Sequence, residues 1–339
     1  MIDSAVHRFP VMGTTAEILA NGIDHASLVG CATILEDLEA RWSRFLPTSE
    51  ISQLNRAARR AQQSGFDSVP VVVSDDTFRL IAMAIDLWEQ TDGVFDPTIG
   101  VSMEAAGYDR SFELLDAQHA PRREQAPAGY QPAPGAGDIV LDEPLSAVRI
   151  PAGVVIDLGG IAKGVAVDLL AEHLLSIGAQ GCCVNIGGDL RALGTPPRPE
   201  GWQVAIDCPG AAEPVTVGLV AGAVCTTSKS KRRWRAAGAA GGVEHHLRDP
   251  ATGAPLESGV TSVTVIGARA TQAEVLCKVA FAAGVERGPG LVERQGATGL
   301  IVGDDGTVSA MCGLDAFTAA ALSGNEHSES PAAACGVAR

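Results

Sequence analysis

Apolar positions in the first third of this chain follow two rhythms. Over 5–20 they read as two strands turning at Met12-Gly13-Thr14-Thr15. Leu28, Cys31, Leu35, Leu38, Trp42 and Phe45 then step by three or four, the spacing of one helix face. A short helix is expected over 49–56. Ser74 is placed to N-cap another that carries Phe78, Ile81, Ile85 and Trp88 and ends before Gly93. The Pro-, Gly-, Ala- and Gln-rich stretch 116–137 reads as a surface excursion. Strands are expected next at 139–141, 147–150 and 154–156, then a helix over 161–175 and a strand over 182–186. Shorter strands follow at 202–207, 215–220, 223–227 and 260–267, a helix over 271–283, and closing strands near 298–303 and 307–312. Ser, Ala, Glu and Pro dominate 323–339, which is expected to be a disordered tail behind a domain spanning 1–322. No repeat of fixed period is visible. Strands and helices out of strict alternation predict an α+β fold rather than a doubly wound parallel sheet.

Composition narrows the classes. The apolar fraction is 46% and the charged fraction 19%, which is ordinary for a folded globular chain and too apolar for disorder. Basic residues number 25 against 40 acidic, a net charge of −15, which disfavours nonspecific nucleic-acid binding because that requires basic surface. An anionic small ligand remains compatible, since local field and global charge are separate matters. No apolar run is long enough for a transmembrane helix. Residues 1–10 include Asp3, His7 and Arg8 and no apolar core of a signal peptide. Leu28-Val29-Gly30-Cys31 resembles a lipoprotein cleavage box but lacks the segments that should precede one, so no lipid anchor and a cytoplasmic location are expected. The eight cysteines include no Cys-x-x-Cys pair, and a reducing compartment is expected.

Four stretches are candidates for chemistry. Val154-Val155-Ile156-Asp157-Leu158-Gly159-Gly160-Ile161-Ala162-Lys163-Gly164 runs an apolar segment into a glycine pair and a helix start. Glycines let a ligand approach the backbone, and a helix N-terminus offers N–H groups to an anion. The same arrangement also serves as a purely structural turn. Asn185-Ile186-Gly187-Gly188-Asp189 repeats the theme, or is a tight turn in which Asp189 bonds its own backbone. Gly93-Val94-Phe95-Asp96-Pro97-Thr98-Ile99-Gly100 makes a rigid loop or simply stops the preceding helix. His245-His246-Leu247-Arg248-Asp249-Pro250-Ala251-Thr252-Gly253 contains a Pro-x-x-Gly turn, and its adjacent histidines point to opposite faces if extended, a poor pair for one metal.

In order along the chain, Met12-Gly13-Thr14, Ser49-Glu50 with Leu54-Asn55, Phe95-Asp96-Pro97-Thr98, Asp157 to Gly164, Asn185 to Asp189, Thr227-Ser228, His246-x-x-Asp249-Pro250-x-Thr252-Gly253 and Ser262 to Val265 resemble the ApbE-type FAD:protein FMN transferases. The resemblance spans about 6–318. It implies an α+β fold of mixed sheets with flanking helices around a central FAD cleft, magnesium, and transfer of FMN from FAD to a threonine hydroxyl of an acceptor protein with release of AMP. Met12, Phe45 and the Val94-Phe95-Asp96 segment would line the isoalloxazine and ribityl region. Gly159, Lys163 and Val165 would lie against FAD, the Ala162 carbonyl would be a metal ligand, and His246 would sit close to the reacting diphosphate.

The resemblance also marks two departures. Where the family carries an aspartate and, four residues on, a threonine that complete the magnesium site, this chain has Glu274 and Lys278. Glu274 keeps an oxygen for a metal or for catalysis, whereas a protonated lysine donates and cannot coordinate. Three readings stand: metal held differently with Lys278 on phosphate, Lys278 in place of the cation, or an exposed helical ion pair. The run Thr227-Ser228-Lys229-Ser230-Lys231-Arg232-Arg233-Trp234 departs from the family's Ser-Gly, and is either a phosphate or partner contact or a solvated loop. The leading expectation is a flavin transferase. The alternatives are an FAD diphosphatase and a catalytically weakened FAD-binding protein of the same fold.

Overall fold

A computed structural model describes residues 4–115, 129–210, 213–235 and 243–318. The expected tail 323–339 and most of the 116–137 excursion lie outside the described residues. In chain order the elements are β1 (Ser4–Val11), β2 (Thr14–Asn21), α1 (His25–Trp42), α2 (Glu50–Ser64), β3 (Ser68–Val72), α3 (Asp75–Gln90), α4 (Gly100–Ala105), α5 (Phe112–Leu115), β4 (Val140–Asp142), β5 (Ala147–Pro151), α6 (Ala162–Ser176), β6 (Gly181–Ile186), β7 (Asp189–Gly194), β8 (Trp202–Ile206), β9 (Val215–Leu219), β10 (Gly222–Ser228), β11 (Arg233–Arg235), β12 (Val243–His245), β13 (Val260–Gly267), α7 (Ala270–Glu293), β14 (Thr298–Gly303) and β15 (Val308–Ala310). They fall into two compact units, the first made of 1–37, 163–228 and 258–339, the second of 38–162 and 229–257. Among the described residues no helix is long and apolar enough to cross a membrane.

The first unit is built on an eight-stranded antiparallel sheet in the order β1-β2-β6-β7-β10-β13-β14-β15. Its central strands are covered on both faces, which is why β6 is buried at every position, Asn185 included. On one face the β8–β9 ribbon sets Trp202, Val204, Ile206, Val217 and Leu219 against Leu190, Val224, Ile266 and Leu300. On the other, α7 packs on β10 and β13, and the Cys277 thiol meets the Cys225 carbonyl at 3.1 Å. The β1–β2 hairpin closes through Met12 and Gly13, both at positive φ (53° and 65°). This is the two-residue geometry that follows strand twist and normally selects Asn or Gly. The helix expected over 271–283 ends where the sequence placed it: Gly284 adopts φ 83° and breaks α7, and a second helical segment continues to Glu293.

The second unit holds the sheet β3-β5-β4, the ribbon β11–β12 and helices α2 to α5. Ser74 caps α3 through Thr77 N–H, as expected, and Ser49, expected as the first residue of α2, instead caps it by accepting from Ser52 N–H. α2 runs past the predicted 56 because Ala58 and Ala61, small residues, continue its buried face as far as Gly65. β3 escapes sequence reading because Pro70 interrupts it, a residue tolerated on this edge strand.

One expected strand is corrected. Residues 154–156 form no strand, apart from a single bridge between Val155 and Ile99. Asn55 takes the place of a neighbouring strand: its amide nitrogen donates to the Ile156 carbonyl at 2.9 Å, and its amide oxygen accepts Ile156 N–H at 2.8 Å. A buried side-chain amide thus satisfies the backbone that a ladder would otherwise have paired.

Candidate active site

In the first unit three motif segments meet at the start of α6. The Lys163 ammonium donates to Asp189 Oδ2, in a close contact, and to Glu274 Oε1 at 3.0 Å. Glu274 Oε2 accepts Gly164 N–H at 2.8 Å. Lys278, one turn further along α7, donates to the Glu274 main-chain carbonyl at 3.1 Å and reaches Oε1 at 3.4 Å. Glu274 is 1% exposed, while the Lys163 and Lys278 side chains are 17% and 19% exposed. Two buried carboxylates therefore lie under two partly exposed ammonium groups. Glu274 and Lys278 are not the solvent-facing helical pair that was one of the three expectations.

Electrostatics follow this geometry. Burial opposes ionisation of Glu274, but Lys163, then Lys278, and the Gly164 N–H outweigh it and hold the carboxyl at about 2. Asp189 is pushed up, by burial and by the Glu274 charge, against the pull of Lys163. Cys277, adjacent to Lys278, is pushed up to about 12 by burial and stays a thiol.

Close packing makes this arrangement possible. A Cβ on Gly164 would come within 2.9 Å of Ala270 O, Thr271 Cα and Glu274 Oε2. Asp168 locks the same two helices, accepting Ala270 N–H and Thr271 N–H at 3.0 Å each and the Thr271 hydroxyl at 2.8 Å, with Arg191 Nε 3.2 Å away. It thus terminates α7 as an N-terminal acid should. Sequence reading passed over Asp168. Its one signal was an acid inside the apolar run Val165-Ala166-Val167-Asp168-Leu169-Leu170.

Asp189 does not bond its own turn. Asn185 Oδ1 accepts Gly188 N–H at 2.9 Å, which leaves Asp189 for Lys163. The Gly187 N–H bonds Thr15 O at 3.2 Å, so the second glycine turn sits against the hairpin tip that carries Met12. Val165 is buried on α6.

The second unit brings together the remaining loops. Asp157 N–H bonds Pro97 O at 2.8 Å, tying the Asp-Pro loop to the Asp-Leu-Gly-Gly turn. Asp157 also accepts Arg44 Nε at 2.8 Å and Gly159 N–H at 2.8 Å. The Arg44 guanidinium is buried between Phe45 (4.2 Å to the ring centre) and Tyr108 (5.0 Å). Arg44 is a residue the sequence reading did not single out, although it adjoins Phe45. Phe95 and Asp96 are buried and Val94 is exposed. Asp96 accepts Thr98 N–H at 2.7 Å and the Thr98 hydroxyl at 2.6 Å, and burial pushes its carboxyl up against those bonds. Gly159 is exposed and Ala162 buried at the start of α6.

His246 is half-buried immediately after β12. Its segment is held by Glu244, which accepts the Tyr130 hydroxyl at 2.6 Å and pairs with the buried Arg248 at 2.7 Å. The Pro-x-x-Gly turn is present, with Asp249 accepting Ala251 N–H and the Thr252 hydroxyl. His245 is buried, and burial followed by the positive charge of Arg248 pushes its pKa down to about 4. Lys231 and Arg233 of the basic run are exposed, and Arg233 opens strand β11.

The Glu274–Lys278 pair expected to complete a magnesium site does not suit that ion. Magnesium demands near-octahedral oxygen coordination. Both Glu274 oxygens are occupied by ammonium or N–H donors, Lys278 offers no lone pair, and among the described residues no group of three His, Cys, Asp or Glu could hold a metal ion.

Comparison with known proteins agrees with the motif order. A model of the ApbE family matches residues 12–301. The chain is 29% identical over 268 residues to an FAD:protein FMN transferase of Haemophilus influenzae, covering 77% of this chain and 73% of that protein. It is 27% identical over 305 residues to one of Treponema pallidum, covering 86% and 80%. The crystal structure of the ApbE protein from Thermotoga maritima superposes with a TM-score of 0.77 at 26% identity, over 93% of this chain and 99% of that one.

Proposed function

The chain belongs to the ApbE family, and from that premise we propose that it is an FAD:protein FMN transferase. A threonine hydroxyl of an acceptor protein attacks the phosphorus of the FMN half of FAD. The new P–O bond forms to the threonine oxygen, the P–O bond to the AMP half breaks, and AMP leaves with its electron pair. The threonine proton passes to a base, a role we assign to His246. The observation that carries the reading is the pair of partly exposed ammonium groups, Lys163 and Lys278, over buried Asp189 and Glu274. In an acidic chain they are a local source of positive charge for a diphosphate, and charge neutralisation is most of what phosphoryl transfer asks of a protein.

The FAD contacts we assign are Met12, Phe45, Val94, Phe95, Asp96, Gly159, Lys163, Val165 and His246, with Glu274 positioning the two lysines. No step is assigned to magnesium. The family match runs through both units, which supports treating 1–322 as one functional domain. Seven free cysteines among the described residues, six of them buried, suit a reducing compartment such as the cytoplasm.

Incubation of the protein with FAD and a threonine-bearing acceptor tests this. Acceptor mass increased by one FMN less a water, with equimolar AMP, is the expected result. AMP without labelled acceptor would indicate a diphosphatase, and intact FAD despite tight binding a non-catalytic flavin-binding protein. Either outcome replaces the proposal.

A further inference from the structure

The cation beside Glu274 is part of the chain itself. We propose that the Lys278 ammonium stands in place of a divalent metal at Glu274, so that the FAD diphosphate is held at this position by lysine charge alone. The inference rests on the flavin-transfer reading for the identity of the ligand, and on geometry for the rest.

A metal at Glu274 would need a carboxylate oxygen turned toward it. Oε1 accepts from both lysines, at 3.0 Å and 3.4 Å, and Oε2 from Gly164 N–H at 2.8 Å. The second acid, Asp189, is taken by Lys163. Each buried acid already has an ammonium beside it, Asp189 in Lys163 and Glu274 in both lysines. Lys278 is fixed rather than loose: it bonds the main-chain carbonyl of its own i−4 residue at 3.1 Å, a geometry one helical turn supplies automatically. A helical lysine held this way uses two of its three donors on Glu274.

Two measurements test this. Titration of the unaltered protein with Mn²⁺, followed by loss of the free-ion EPR signal, should show no protein-dependent site, with or without FAD. A saturable stoichiometric site in either condition overturns the proposal. Flavin fluorescence quenching then gives FAD affinity in EDTA and in Mg²⁺. The unaltered protein should bind FAD equally in both. Lys278→Thr should bind about tenfold more weakly in EDTA, the loss expected for one charge-assisted contact, and should recover on adding Mg²⁺. Lys278→Arg, which keeps the charge, should resemble the unaltered protein. Equal FAD binding by Lys278→Thr in EDTA would overturn the proposal. If neither protein binds FAD at all, the flavin reading fails, and the Mn²⁺ titration still decides whether Glu274 takes a metal.

Discussion

Replacing Gly164 by alanine sets two opposing effects against each other, and the structure decides the sign. Alanine is the better helix former by about 1 kcal/mol, so an unconstrained interior glycine gains from the change. At Gly164 the new methyl meets Ala270 O, Thr271 Cα and Glu274 Oε2, each at 2.9 Å. Carbon contacts relax only near about 3.5 Å, so the two helices must part by roughly half an ångström. Two of the three atoms are backbone and cannot rotate away, and overpacking of this kind costs about 1–3 kcal/mol. The third atom is the acceptor of the Gly164 N–H, and weakening that charged bond adds about 1 kcal/mol. The net is a destabilisation of roughly 2 kcal/mol, or about 3 °C in melting temperature for a chain this long.

Gly30 is the control, since it lies exposed in α1 and a Cβ there meets nothing within 4 Å. Gly30→Ala should raise the melting temperature by about 1–2 °C. Differential scanning calorimetry of the two variants reads the difference directly, and FAD titration of Gly164→Ala should show weakened binding because Glu274 is displaced. A Gly164→Ala protein as stable as Gly30→Ala would refute the packing argument.

Asn55→Ala should cost about 3 kcal/mol in urea unfolding, because it orphans the buried Ile156 N–H and carbonyl together; a loss below about 1 kcal/mol would show that water replaces the amide. Met12→Gly relieves a left-handed residue worth about 1 kcal/mol. It should leave stability equal or higher while weakening FAD binding, and unchanged binding would remove Met12 from the site. His245 has its pKa depressed from 6.5 to about 4, so it folds neutral and the unfolded chain takes the proton first. Its contribution is complete above 6.5 and is lost as pH falls toward about 4, by roughly 2 kcal/mol after screening. Glu274 acts in a lower window, between 4.5 and about 2. Unfolding of His245→Gln should therefore lose its pH slope in the upper window only, and a slope that persists there would assign it elsewhere.

Much of this protein is legible in its residues one segment at a time. The three-or-four spacing of Leu28 to Phe45, of which α1 keeps Leu28 to Trp42, and the cap Ser74 each act over a few residues, and local stereochemistry enforces them. The α+β class and the order of motifs follow from the same local signals. What misled was non-local. Val154 to Ile156 has the composition of a strand, yet Asn55, a hundred residues earlier, supplies its hydrogen bonds. Asp189 has the look of a turn residue, yet a lysine from another helix takes it.

The candidate site divides along the same line. Sequence alone determined that Glu274 and Lys278 share one face of a helix, because i and i+4 must. Only tertiary structure decided that this face is buried, that Lys163 and Gly164 meet it, and that Asp168 and a missing Cβ hold the two helices close enough for that to happen. Periodicity is a property of a chain with itself. Which carboxylate is neutralised, and by which cation, depends on segments brought together across more than a hundred residues, and no local pattern encodes that distance.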